Sequence, residues 1–189
     1  MKIPMDMESL TYEKVGSVAD PQWAIAYRLY EASFPSFEQR SERDYVAALR
    51  DERFHAETVW DADRFVGLVF WWLADEGYVY LEHLAVDPAL RGKSYGARIL
   101  RDLCTRMGRV WLEIDPPVDE ISCRRRGFYA RNGFFYNEYD YFHPSYQRPP
   151  HPHRLMVMSY PAALTPAEFA SFRTFVHGLA DRYTMTGGE

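Results

Sequence analysis

The stretch that decides the fold is residues 84–100, LAVDPALRGKSYGARIL. It joins an apolar strand end, Leu84-Ala85-Val86, to a helix whose apolar residues recur at 95, 99, 100, 103 and 107. A strand, a short turn and a helix in that order aim backbone N–H groups and the positive end of a helix dipole at one point. The stretch therefore predicts an anion site. Gly92 and Gly96 let a ligand come close to the backbone, while Arg91 and Lys93 add positive charge.

Two kinds of phosphate compete for this turn. Gly92-Lys93-Ser94 reads like the end of a nucleoside-triphosphate loop, Gly-x-x-x-x-Gly-Lys-Ser/Thr. The position of the first glycine, however, is held by Asp87, followed by Pro88. A carboxylate there repels a triphosphate, the glycine turn is missing, and no partner magnesium site is recognisable. The triphosphatase reading is excluded.

Working outward, the N-terminal side reads as a strand over Leu10–Val15, an amphipathic helix over Trp23–Phe34, and a second helix from Ser41 through Leu49. Ser41 is its N-cap and Asp44 the reciprocal member of a capping box. His55–Trp60 and Phe65–Leu73 form a hairpin around Asp61-Ala62-Asp63-Arg64, and Glu76-Gly77 turns the chain into a third strand, Tyr78–Val86. Strict alternation puts Tyr78, Tyr80, Glu82, Leu84 and Val86 on one face, and Val79, Leu81, His83 and Ala85 on the other.

Beyond the helix Tyr95–Met107 come a strand over Val110–Ile114 and a helix over Ile121–Arg131 that stops at Asn132-Gly133. Phe134–Phe142 is strand-like, His143–His153 with its four prolines is an ordered loop, and Leu155–Tyr160 is a strand. Thr165-Pro166-Ala167-Glu168 caps a closing helix. Three consecutive hairpin-linked strands exclude a purely parallel sheet, so the class is α/β of the α+β type, a mixed sheet flanked by helices.

The bulk composition narrows the function. A chain of 189 residues with 47% hydrophobic residues suits one domain with a sizeable core. Its net charge of −5 argues against nucleic acid as a partner. Cys104 and Cys123 show no disulfide framework and read as reduced thiols. The opening MKIPMDMESL lacks the apolar core of a signal peptide, and no apolar run approaches the ~18 residues of a membrane helix. The expectation is a soluble, cytoplasmic protein without a membrane partner.

A second element, Arg126-Gly127-Phe128-Tyr129-Ala130-Arg131-Asn132-Gly133-Phe134, places a phenol on a helix just before a glycine turn. Together with Leu84 to Pro88 and Arg91 to Gly96, it closely resembles the GNAT superfamily of acyl-CoA N-acyltransferases over roughly residues 10–160. The resemblance implies one N-acetyltransferase domain over residues 1–189, with 161–189 a C-terminal helical extension. It also implies a mostly antiparallel central sheet of about six or seven strands with helices on both faces, and acetyl-CoA as co-substrate.

Residue by residue, the resemblance puts the coenzyme A pyrophosphate on Arg91, Gly92, Lys93, Ser94, Tyr95, Gly96 and Ala97, and the pantetheine arm along Leu84, Ala85 and Val86. Ser94 stands where the family has glycine, and at φ > 0 it would carry about 1 kcal/mol of strain. Ser122 takes the place of an asparagine that binds pantetheine in the family. A bulge in the strand would present an N–H to the thioester oxygen.

The implied chemistry is direct transfer to a primary amine in a ternary complex. An alkyl ammonium with a pKa near ~10 must lose a proton before it attacks. Glu82 is the expected base, directly or through water, against the plainer reading of a strand-face carboxylate paired with arginine. Tyr129 is the expected acid for the departing thiolate. His83 reads as a packed histidine unless a bulge reverses the alternation. Cys104 and Cys123 are poor nucleophile candidates, because no covalent intermediate is required. Arg124, Arg125 and Arg126 read as a solvated helix face before they read as contacts to the adenosine 3′-phosphate.

The acceptor side is expected from Phe34-Pro35-Ser36-Phe37-Glu38 and Phe134–Tyr146, with Trp71, Trp72, Tyr136, Tyr139 and Tyr141 as either an aromatic slot or core. Glu38, Asp115, Asp119 and Glu120 are candidate attractors for a cation. His143, His151 and His153 lack thiolate or carboxylate partners, so no metal is expected. The partner is a small-molecule or peptide amine, and a homodimer stays open. A non-catalytic acyl-CoA-binding module and an acetyltransferase for protein N-termini or lysines remain as alternatives. A lid over the pocket would favour a small acceptor.

Overall fold

A computed structural model describes residues 9–147 and 149–184. The leader reading falls on the opening residues, of which 1–8 lie outside the described ones. The chain runs β1 (Thr11–Val15), α1 (Pro21–Ser33), α2 (Glu42–Ala48), β2 (Phe54–Asp61), β3 (Arg64–Leu73), β4 (Val79–Val86), α3 (Tyr95–Met107) and β5 (Val110–Ile114). It continues through α4 (Glu120–Arg131), β6 (Phe135–Asn137), β7 (Phe142–His143), β8 (His153–Arg154), β9 (Met156–Tyr160) and α5 (Pro166–Arg182). Seven strands form one sheet in the order β1-β2-β3-β4-β5-β9-β6, and only β4 and β5 run parallel.

Both faces of the sheet are covered. On one, Trp23 and Tyr30 of α1, Tyr45 of α2 and Phe172 and Val176 of α5 pack on Phe70, Trp72, Tyr80 and Trp111. On the other, Ile99, Leu100 and Leu103 of α3 pack on Val69, Leu81, Val110 and Leu112, with Phe128 and Tyr129 of α4 alongside. Each fully buried apolar side chain contributes about 1.5–3 kcal/mol relative to exposure. The C-terminal segment is built into the first layer. Thr165 and Glu168 form the expected reciprocal cap of α5, and Glu168 also accepts from Tyr78 and Arg109 at 2.9 and 2.6 Å.

Local signals placed most elements, and α3 and β5 begin and end where periodicity put them. The cap of α2 is one-sided: Ser41 accepts from the Asp44 amide, and the Asp44 carboxylate accepts from the Ser41 hydroxyl. The strand expected over Phe134–Phe142 is not continuous. Only Phe135–Asn137 joins the main sheet, and Phe142–His143 pairs instead with His153–Arg154. Aromatic residues favour strands, but the intervening segment packs on α5, where Tyr139 stacks on Phe169 at 4.1 Å.

Candidate active site

The cleft is created where two parallel strands part. Pairing between β4 and β5 ends at Leu81↔Leu112, so residues 82–86 and 113–114 diverge without cross-strand partners on that side. At the same level β4 carries a bulge: Phe70 pairs with His83 and Trp71 with Leu81, leaving Glu82 opposite no residue. Glu82 and His83 consequently face the same layer, that of α1, α2 and α5. Leu84 and Val86 are transferred to the α3 face beside Leu81. Strict alternation is thus corrected at one residue. Gly67 permits the close approach of β3 and β4 past the bulge, since a Cβ there would lie 2.2 Å from the Ala85 carbonyl oxygen.

At one end of the cleft lies the phosphate-type turn. Asp87 accepts from the Ala89 amide at 2.8 Å and caps a single helical turn, Pro88–Leu90, instead of reaching any ligand position. Gly92 and Ser94 both have left-handed backbones, with φ of 78° and 63°. Ser94 is the N-cap of α3 but makes no side-chain capping bond, so the opening N–H groups of the helix are not closed off by its hydroxyl. Gly96 and Ala97 lie in that first turn and Lys93 is exposed. Arg91 lines the cleft, with Nε donating to the Val86 carbonyl at 3.4 Å. Tyr95 differs from its neighbours: its hydroxyl donates to Asp61 on the β2–β3 hairpin, so only its backbone belongs to the turn.

Ser122 serves the protein itself. Its hydroxyl accepts from the Val118 and Asp119 amides at 3.1 and 3.0 Å and donates to Asp119, completing the capping box of α4. The arginine run beside it is also engaged locally. Arg124 pairs with Glu120, Arg125 with Asp115, and Arg126 lies over the Tyr136 ring at 4.4 Å.

The cleft itself encloses about 460 Å³ and is lined from both strands, from the α1–α2 connection and from the β7–β8 connection. Four hydrogen bonds converge on Glu82. Arg40 donates Nε and Nη2 to Oε1 at 3.1 and 2.9 Å, Tyr146 donates to the same oxygen, and Trp72 donates Nε1 to Oε2 at 2.9 Å. Burial alone would raise this carboxyl, but the Arg40 guanidinium and the added donors outweigh it and hold it at about 2. Arg40, itself fully buried, also donates Nη1 to the Tyr183 carbonyl at 3.0 Å and lies 3.8 Å from the centre of the Tyr146 ring. It thereby ties the α1–α2 connection, the bulge, the β7–β8 loop and the end of α5 together. A carboxylate so clamped is an anchor for the bulge and takes up no proton near neutrality.

Glu113 on β5 has the opposite surroundings. Its side chain is 7% exposed, Tyr80 donates to Oε2 at 2.5 Å, and Oε1 has no hydrogen-bond partner. The nearest base-type group, His143 Nε2 at 3.9 Å, is pulled down to about 3 by burial and stays neutral. With no cation beside it, burial pushes the Glu113 carboxyl up to about 7. Glu38 at the mouth is likewise raised to about 7, first by burial and then by nearby Asp115. His83 packs between Tyr30 and Phe34 at 4.8 and 4.5 Å and is lowered to about 4 by burial.

Tyr129 lines the cleft from the α4 side, packed against Phe128 and Phe134. Burial raises its phenol, which keeps the proton at neutral pH. Cys104 is buried and raised to about 12, and neither cysteine borders the cleft. Of the aromatic residues named for the acceptor slot, none lines the cleft. Trp71 stacks on His55, Tyr141 packs in the α5 layer and Trp72 supports Glu82. Phe34, Phe37, Tyr80 and Tyr146 supply its aromatic walls instead. His151 and His153 pack on Phe37.

Sequence reasoning missed Arg40 and Glu113, while Tyr146 ends the Phe134–Tyr146 run expected on the acceptor side. Glu113 carried a signal, an acid within the apolar strand Val110–Ile114 on the same face as Trp111. Arg40 carried none, because its partners are 42 and 143 residues away.

A sheet that parts between two parallel strands, with an uncapped helix terminus at one end and titratable groups along the gap, is the framework of an acyltransferase. The family model for the acetyltransferase (GNAT) family matches residues 23–134, and the chain belongs to that family. Among solved structures, a protein assigned to the GNAT family from Bacteroides thetaiotaomicron is 28% identical, with a TM-score of 0.84 over 93% of this chain and 99% of its own. The ribosomal-protein-S18-alanine N-acetyltransferase of Escherichia coli is 16% identical, with a TM-score of 0.56 over 82% and 96% of the two chains. A Bacillus subtilis acetyltransferase solved with CoA is 16% identical, with a TM-score of 0.55 over 80% and 97%. No curated protein matches the sequence. Among the described residues no helix is long and apolar enough to cross a membrane.

Proposed function

We propose that this protein is an acetyl-CoA-dependent N-acetyltransferase that moves the acetyl group directly onto a primary amine in a ternary complex. The observation that carries the reading is the gap between β4 and β5, bordered by a carboxyl at about 7 and by a protonated phenol. The Bacillus subtilis relative solved with CoA supports the choice of cofactor.

In this reading the N–H groups at the start of α3, with Arg91 and Lys93, receive the pyrophosphate. Residues 84–86 pair with the pantetheine arm along the unpaired edge of β4, and the bulge points a backbone N–H at the thioester oxygen. Glu113 takes the role first assigned to Glu82: it accepts the proton from the amine as nitrogen bonds to the carbonyl carbon. The carbon–sulfur bond then breaks, and Tyr129 donates its proton to the departing thiolate, giving amide and coenzyme A. Solvent restores both groups.

The β7–β8 loop supports a small acceptor. His143, Tyr146 and His153 border the cleft, and Gln147 donates to the Ser36 and Gln39 carbonyls at 2.8 and 2.9 Å, drawing the loop over the acceptor side. The test is calorimetric titration with acetyl-CoA followed by a free-thiol release assay against primary amines. Saturable binding and amine-dependent thiol release are expected; lack of acetyl-CoA binding would overturn the reading.

A further inference from the structure

Charge in the acceptor half of the cleft is unevenly paired. Four carboxylates border it, Glu38, Glu82, Glu113 and Asp115, together with two arginines, Arg91 and Arg125, while the fully buried Arg40 donates to Glu82. Arg40 is committed to Glu82 and Arg125 to Asp115, while Arg91 sits at the phosphate turn with Nε on the Val86 carbonyl. Among the described residues, Glu113 has no cation beside it, and Glu38 has only the more distant influence of Arg125, which is paired with Asp115.

Neither carboxyl is placed for solvent to compensate it fully. Glu113 is nine-tenths buried and its Oε1 has no hydrogen-bond partner. Glu38 is half-buried on the single turn Ser36–Glu38 next to Phe37, whose ring meets His153 at 5.4 Å. A buried carboxyl without a cation is costly for the folded protein, and a ligand that brings the cation removes that cost. Two carboxyls of this kind in one cleft call for two positive charges. We infer that the acceptor carries two cationic amines joined by an apolar spacer, the reacting one at Glu113 and the second held by Glu38.

The spacer would run along Phe34, Tyr146 and Leu155, which line the same cavity as the two acids. The aromatic faces beside Glu38 suit an ammonium group as well as the carboxylate does. The raised affinity of both carboxyls for protons is the same imbalance seen from the unliganded side.

This inference rests on the transferase reading, and its test separates the two. Calorimetry with α,ω-diaminoalkanes of graded length, matched n-alkylamines and matched amino alcohols is carried out on the protein saturated with coenzyme A. At least one diamine is expected to bind about tenfold tighter than its matched monoamine and amino alcohol, a difference of about 1.4 kcal/mol. Glu38→Gln is expected to erase that difference. Among the described residues Glu38 has no side-chain hydrogen-bond donor that would be lost, and a melting curve checks that the variant folds. Equal binding of all three series, or an equal loss for all three in the variant, would overturn the second-cation site. Failure of acetyl-CoA itself to bind would instead remove the transferase reading beneath it.

Discussion

Glu82 and Glu113 border the same cleft on adjacent strands, both buried, and they behave as opposites. Glu82 receives Arg40, Trp72 and Tyr146 and is held at about 2. Glu113 receives Tyr80, with the Tyr141 hydroxyl nearby, but no cation is buried with it and burial raises it to about 7. The comparison teaches that burial by itself raises a carboxyl, and that the sign of the final shift is set by whether a cation is buried with it. A paired carboxylate gives architecture; an unpaired one gives a proton acceptor poised near neutral pH.

The linkage to stability is opposite as well. For Glu82, whose folded value lies below the ordinary 4.5, stability is present above 4.5 and lost as pH falls toward about 2. For Glu113, raised from 4.5 to about 7, stability is present below 4.5 and lost as pH rises through about 7.

The largest effect expected from breaking this contrast is on folding. Glu82→Gln leaves the fully buried Arg40 without its counter-charge and should destabilise the protein by about 3–5 kcal/mol, read by denaturant unfolding. Normal stability with a collapsed kcat would give Glu82 the role of base after all. Next, Glu113→Gln should lower kcat about a hundredfold to a thousandfold while acetyl-CoA still binds. In the parent enzyme kcat/KM should rise with pH through about 7 as Glu113 loses its proton, and the variant should lack that limb. A retained limb would point to another group.

Tyr129→Phe comes third, with kcat lower by about a hundredfold and acetyl-CoA affinity preserved, since only the donated proton is removed. Matching losses in kcat and cofactor affinity would mark Tyr129 as a packing residue. The smallest effect is at the cofactor end. Ser94→Gly relieves a left-handed serine and should stabilise the unliganded protein by about 1 kcal/mol or less in thermal melts. A loss of stability would mean that the serine hydroxyl has a stabilising partner.

Much of the framework was legible because its causes are local. The period of α3, the reciprocal cap at Thr165 and Glu168, and the glycine end of α4 at Gly133 each depend on residues a few positions apart. The left-handed backbone at Ser94 was raised as a condition only by the family resemblance, which puts glycine at that position. The aromatic acceptor slot was not legible, because Trp71, Tyr136, Tyr139 and Tyr141 are equally suited to core, and packing alone chose. The capping role of Ser122 was not legible, because a polar residue at the third position of a helix serves a cap as readily as a ligand.

The sequence by itself determined the order of elements, the glycine-bearing turn at 91–96 ahead of α3 and the place of Tyr129 near the end of α4, all encoded by short-range spacing. The tertiary structure decided which glutamate is an anchor and which can accept a proton. That choice depends on a one-residue bulge and on partners 42 and 64 positions from Glu82 and 33 from Glu113. Electrostatic character follows distance in space, and only the folded chain sets that distance.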